Sequence, residues 1–117
     1  MVENWLEFTK TLSTDLRALR GAAPDVMKAF GALAQVASAP KALDVKTKEL
    51  LALGIAVAVH CDDCIAFHVK AAVDHGATRD EVVETLGTAI YMGAGSSAMY
   101  ASHALDAYTK FSTPTTT

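Results

Sequence analysis

The sequence predicts an all-α protein, a single-domain helical bundle of about six helices. Three observations carry that prediction. Apolar residues recur at steps of three and four, alanine is spread along the chain, and valine and isoleucine nowhere alternate with polar residues in the period of two that a half-buried strand needs. A length of 117 residues suits one domain with one core. A composition of 51% hydrophobic and 20% charged residues, with 3 prolines, belongs to a chain that folds and not to a disordered one.

Each helix can be justified in order. Trp5, Phe8, Leu12, Leu16 and Leu19 form the first helical stripe, which Gly21 ends. Pro24 suits the first turn of a second helix bearing Met27, Phe30, Leu33 and Ala34, and Pro40 interrupts the chain beyond it. Asp44 caps a third helix that runs to about His60; its stretch Leu50–Val59 is apolar all round, which predicts a central helix buried on most sides. Asp62 and Asp63 offer the N-cap of a fourth helix that reaches Asp74, with Gly76 as its stop. Thr78-Arg79-Asp80-Glu81 has the form of a capping box and opens a fifth helix through Val82, Val83, Leu86 and Ile90. Gly93-Ala94-Gly95-Ser96 loosens the chain before a last helix with Met99, Tyr100, Leu105 and Tyr108, and the tail Ser112–Thr117 lacks an apolar anchor and is expected to fray.

Composition narrows the function classes. With 10 lysines and arginines against 13 aspartates and glutamates, the chain lacks the basic excess that a phosphate backbone demands, so nucleic acid is not an expected partner. The longest apolar run is about half of the roughly 20 residues that cross a bilayer, so no membrane span is expected. The start Met1-Val2-Glu3-Asn4-Trp5 lacks the basic region of a secretory signal, and a cytoplasmic location is expected. Gly93-x-Gly95 follows a helix, not a strand, so it is no dinucleotide fingerprint and no cofactor is expected.

The chemistry lies around the two cysteines. Cys61 and Cys64 are too close in sequence to staple a fold, and in a reducing compartment such a pair points to redox or metal chemistry. At about 100° per residue, Cys61, Cys64 and His68 share one helical face if the helix extends back to Cys61. A thiol at a helix N-terminus feels the positive end of the backbone dipole, and an imidazole one turn further on can exchange its proton. A sulfenic acid formed on one sulfur by peroxide can condense with the other to a disulfide, which prevents over-oxidation. Glu49, on a helix otherwise apolar around it, wants a partner. Helix placement and His68 should lower the pKa of one thiol while Asp62 and Asp63 oppose it, leaving it moderately below the ordinary value of about 8.5.

The pattern Glu49-x11-Cys61-x-x-Cys64-x3-His68 resembles the signature of the AhpD-like alkylhydroperoxidases, within the carboxymuconolactone decarboxylase superfamily. The resemblance covers about residues 20–110, the expected core of the domain, and implies an AhpD-like all-helical subunit that assembles into homotrimers or homohexamers. It also implies reduction of a small organic hydroperoxide or hydrogen peroxide, with a lipoyl or thioredoxin-type dithiol protein as reductant. Carried over, Cys64 attacks the peroxide, Cys61 resolves the sulfenic acid, and Glu49 and His68 form the proton relay. The best-known peroxidases of the family carry a histidine just before the second cysteine, where this chain has Asp63. A carboxylate there raises the thiol pKa unless it is engaged in capping the helix. The decarboxylase branch lacks the cysteine pair, so lactone decarboxylation or isomerisation by His68 and Glu49 is the weaker carry-over. A redox-sensing module read by a partner is the non-enzymatic alternative.

Blander readings compete at each residue. The cysteines also suit two buried small hydrophobes, or, with His68, three zinc ligands in want of a fourth, and no metal is assigned. Glu49 also suits a solvated first turn. His60 and His75 read as helix C-terminal residues, and His103 as a satisfied core or surface histidine. Met27, Met92 and Met99 read as core or interface filler. A chain this small and this apolar has surface left over, and Ile90-Tyr91-Met92-Gly93-Ala94-Gly95 is the segment expected to meet another subunit.

Overall fold

A computed structural model of the chain describes residues 2–113. Five helices and, among the described residues, no strand make up the fold: α1 (Trp5–Ala22), α2 (Pro24–Ser38), α3 (Val45–Ala58), α4 (Asp62–Asp74) and α5 (Arg79–Ser112). Local chemistry sets most boundaries. Pro24 sits in the first turn of α2. Asp44 Oδ1 accepts the Thr47 N–H at 2.8 Å to cap α3. The capping box of α5 is complete, with Thr78 Oγ1 accepting from Glu81 N and Glu81 Oε1 accepting from Thr78 N. Gly76, at φ 83°, ends α4 in the left-handed conformation that glycine adopts at least cost.

Two boundaries differ from the sequence expectation. Gly21 lies inside the last turn of α1, which closes through the Ala23 N–H to Leu19 O. The N-cap of α4 is Cys61, not Asp62 or Asp63, because both acids have already entered the first turn. α5 joins the two expected helices end to end, and the break between them falls at Ala94, inside the expected Gly93–Ser96 segment, where a φ of 64° and ψ of −157° are not helical. The glycine-rich segment, expected to loosen the chain, thus takes the form of a kink. Ser112, the first residue of the tail expected to fray, ends α5, and residues 114–117 of that tail lie outside the described residues.

The core belongs to α3, α4 and α5, which pack on one another most extensively. Leu53, Val57, Ile65, Val69 and Val82 are fully buried there. Ala66, Ala72 and Ala104, small enough to let the helices approach closely, fill the spaces between them. α1 lies across α4 and α5, anchored by Trp5, whose Nε1 donates to Asp106 Oδ2 at 3.1 Å. α2 is different: none of its residues is buried. It is held by α1 and α3, and Lys48 Nζ donates to the Ala37 and Ala39 carbonyls at its C-terminal end. Burial of the central helix on most sides is not what the chain shows. Leu51 and Ile55 on the outer face of α3, and Val59 at its C-cap, are 52–64% exposed, because α4 and α5 cover the opposite face and α2 touches α3 only lightly.

Candidate functional site

The site is built where α3 hands the chain to α4. His60 takes a φ of 60°, the chain reverses, and Cys61 adopts the extended N-cap conformation, its N–H donating to Ala56 O at 3.0 Å. Cys61 and Cys64 are joined by a disulfide, with Cα atoms 5.3 Å apart. The Cys64 N–H donates to Cys61 Sγ at 3.1 Å, so this sulfur fills the capping place normally given to an oxygen. A thiolate at Cys61 would meet a backbone donor and the positive end of α4 together.

On one flank of the disulfide, His68 stands one helical turn beyond Cys64, and its Nδ1 lies 2.7 Å from Glu49 Oε2 on α3. The Glu49 side chain is only 13% exposed, so it is not the solvated edge of a first turn. With Nδ1 engaged by the carboxylate, Nε2 of His68 is left as the nitrogen that can take or return a proton. Helix packing thus joins two of the four singled-out residues directly, and chain connectivity holds the other two beside them.

On the other flank, Asp62 Oδ1 lies 2.9 Å from His103 Nδ1, reached from the far half of α5. His103 reads from the sequence as a satisfied core or surface histidine, and satisfied it is, by the carboxylate next to Cys61. The Tyr100 ring stacks on His60 at 4.6 Å and tilts onto His103 at 5.0 Å, while His60 Nε2 and Ser96 Oγ lie 3.1 Å apart. No spacing rule could find the Asp62–His103 pair, because 41 residues and a helix packing separate its members. Asp63 is exposed and, among the described residues, makes no side-chain hydrogen bond, so its carboxylate is not engaged in capping.

An apolar hollow lies elsewhere. A groove of about 430 Å³ between α3 and α5 is lined by Leu51, Gly54, Ile55, Thr88, Met92 and neighbours, none of them a residue of the disulfide site. Among the described residues no three His, Cys, Asp or Glu side chains converge as a metal site would require. No helix among them is long and apolar enough to cross a membrane.

A helical bundle that carries a Cys-x-x-Cys disulfide at a helix N-terminus beside a Glu–His hydrogen bond defines a dithiol protein of AhpD-like architecture. The chain belongs to the carboxymuconolactone decarboxylase family, whose model matches residues 24–107. It is similar to a carboxymuconolactone decarboxylase family protein of Legionella pneumophila solved in its apo form. The two are 46% identical with a TM-score of 0.91, over 96% of this chain and 100% of that one. A solved protein of Thermotoga maritima is 31% identical with a TM-score of 0.73, over 80% of this chain and 88% of its own. An uncharacterised Cupriavidus necator protein is 44% identical over 75% of this chain and 78% of its own length. A Haemophilus influenzae relative, also uncharacterised, is 38% identical over 92% and 96%.

Proposed function

We propose that the protein is a thiol-dependent peroxidase that reduces organic hydroperoxides or hydrogen peroxide through a Cys61–Cys64 disulfide cycle. In the reduced state Cys64 gives its proton to the His68–Glu49 pair and attacks the peroxide. A sulfur–oxygen bond forms, the oxygen–oxygen bond breaks, and the alcohol (or water, from hydrogen peroxide) leaves with a proton returned by His68. The Cys61 thiolate then attacks the Cys64 sulfenic acid, a sulfur–sulfur bond forms, and hydroxide departs as water on gaining a proton. An external dithiol of the lipoyl or thioredoxin type supplies two electrons and two protons and restores both thiols.

The observation that carries this reading is the 2.7 Å Glu49–His68 contact one helical turn from Cys64. It supports a division of labour. Cys64 has a base within a turn, while Cys61, holding the Cys64 N–H, is suited to be a thiolate without one, as a resolving nucleophile and leaving group both require. The test is peroxide turnover by the purified protein with lipoyl and thioredoxin-type donors, against Cys64→Ser and Cys61→Ser. Turnover is expected in the parent and in neither variant; turnover unchanged in both variants, or absent from the parent with every dithiol, ends the proposal. The Glu49–His68 pair also suits acid–base chemistry on a lactone, and activity on a lactone that survives alkylation of both cysteines would favour that reading.

We further propose that the working form is a homotrimer or homohexamer. Val26, Phe30, Leu33 and Val36 on α2 are 61–69% exposed, and Tyr91 and Met92 on α5 are 85% and 74% exposed beside the α3–α5 groove. Exposed apolar surface of this kind calls for cover by another chain. Sedimentation equilibrium at micromolar concentration checks this, and a stable monomer there would refute it.

A further inference from the structure

The Glu49–His68 pair leaves unexplained the second carboxylate–imidazole pair, on the opposite flank of the disulfide. Asp62 succeeds Cys61 directly, and its side chain and that of His103 are 27% and 17% exposed. A carboxylate one residue from a thiol opposes loss of the thiol proton. Asp62 should therefore hinder Cys61 from becoming the thiolate that the proposed cycle needs twice, and the imidazole bonded to it is a group that can cancel its charge.

We propose that His103 is a positioning residue of the dithiol centre: by holding Asp62 it offsets the carboxylate beside Cys61 and so governs how readily Cys61 gives up its proton. This deepens the reading that Cys61 and Cys64 alternate between dithiol and disulfide, and rests on it. The imidazole held 2.9 Å from Asp62 draws on the carboxylate's charge, so the helix N-terminus acts on Cys61 less opposed, whereas without that bond Asp62 is uncompensated. Where the His103–Asp62 bond is lost, Cys61 holds its proton more tightly. In the reductive step a donor thiolate attacks Cys64 Sγ, the sulfur–sulfur bond breaks, and its electron pair leaves on Cys61. A second donor thiolate then attacks the donor sulfur of the mixed disulfide and releases the Cys64 thiolate, with the donor oxidised to its disulfide. Stabilising the Cys61 thiolate speeds its departure.

Other charged groups face this pair. Exposed Asp63 shares the first turn of α4. Glu3 and Glu7 line a cavity with Asp62. His60 reaches His103 only through the Tyr100 ring. One turn on along α5, Asp106 is engaged by Trp5 and Lys110. Glu49 and His68 hold each other on the far flank. Among the described residues, only His103 bonds the Asp62 carboxylate.

The test uses the Cys64→Ser chain, in which Cys61 is the one thiol, and follows iodoacetamide alkylation against pH. His103→Gln is expected to slow alkylation at neutral pH about three- to tenfold, a rise in the Cys61 pKa of about half to one unit. His103→Lys, which places a cation beside Asp62, should restore most of the rate. Asp62→Asn should quicken alkylation and make His103→Gln silent. If His103→Gln leaves the pH midpoint unmoved while lowering thermal stability, the pair is merely structural and the proposal falls. If His103→Gln does not fold, Asp62→Asn decides alone: unchanged or slower alkylation overturns the proposal. Peroxide takes no part in these measurements, so their outcome is separate from whether the protein turns peroxide over.

Discussion

Two regions use apolar residues in opposite ways. In the α3–α4–α5 bundle they point inward, and Leu53, Val57, Ile65, Val69 and Val82 lose all contact with water. On α2 they point outward, so that Val26, Phe30, Leu33 and Val36 remain more than half exposed although the helix is amphipathic by sequence. The difference separates two tasks. A self-sufficient bundle holds the disulfide and its two carboxylate–imidazole pairs in register, and a largely unburied helix carries apolar surface that another chain can cover.

Substitution breaks or sharpens this contrast. Ile65→Ala, next to Cys64 and fully buried, should cost about 2–5 kcal/mol, since it removes apolar contacts and leaves a cavity the helices cannot close. Phe30→Ala, at a side chain 61% exposed, should change the stability of the isolated subunit by less than about 0.5 kcal/mol. Urea unfolding at a protein concentration where sedimentation finds single chains compares the two fairly, because assembly would stabilise the subunit by mass action. Phe30→Glu should instead show its effect in sedimentation, as a shift toward smaller species. Equal losses for Ile65→Ala and Phe30→Ala would erase the distinction.

The kink in α5 offers a smaller effect with an informative sign. Ala94 lies in a backbone region essentially reserved for glycine, a strain of order 1–3 kcal/mol. Ala94→Gly should therefore stabilise the chain by about 1 kcal/mol after the added flexibility of glycine in the unfolded state is subtracted. Its neighbour behaves oppositely. A Cβ on Gly93 would fall on Ser97 Oγ and come within 2.9 Å of Ser97 Cβ, and Ser97 is fully buried with no room to withdraw. Gly93→Ala should then destabilise by about 1–3 kcal/mol. Thermal unfolding of the two variants checks the signs, and a gain from Gly93→Ala would mean the kink is not held by close packing.

The range over which each signal acts decides how legible it is in the sequence. Caps and breakers act within a turn, so Asp44, Thr78 with Glu81, Pro24 and Gly76 announce their boundaries. The grouping of Cys61, Cys64 and His68 is legible because one helix and its cap carry all three. Glu49 stands out by its incongruity on an apolar helix, and the contact that explains it is tertiary. Cys61 as the cap escapes a sequence reading because aspartate is the commoner capping residue and two aspartates stand beside it. The Asp62–His103 pair and the exposure of α2 are not legible: which face of a helix meets a neighbour depends on the packing of the whole bundle.

The smallest expected effect concerns how α3 and α5 are tied at their starts, within the well-packed region. Lys46 Nζ lies 2.9 Å from Glu81 Oε2, with both side chains about one-third exposed. The Glu81 carboxyl is held below its ordinary value of 4.5, first by the Thr78 N–H it accepts in the capping box and next by Lys46. A carboxyl lowered on folding contributes stability that is complete above its unfolded value and is lost as the pH falls through its folded one. Lys46→Gln should therefore move acid unfolding to slightly higher pH and leave stability near pH 5 to 7 almost unchanged, since an exposed pair is worth little. The shift should stay small because the backbone bond from Thr78, the larger cause, survives the substitution. Lys46 is raised above 10.5 chiefly by Glu81, so its own contribution is present below that value and is lost only as the pH rises through the raised one. Circular dichroism monitored from pH 6 to pH 2 tests the acid limb, and an acid midpoint moved as far as that of Ile65→Ala would show that this exposed pair, and not the buried core alone, holds α3 against α5.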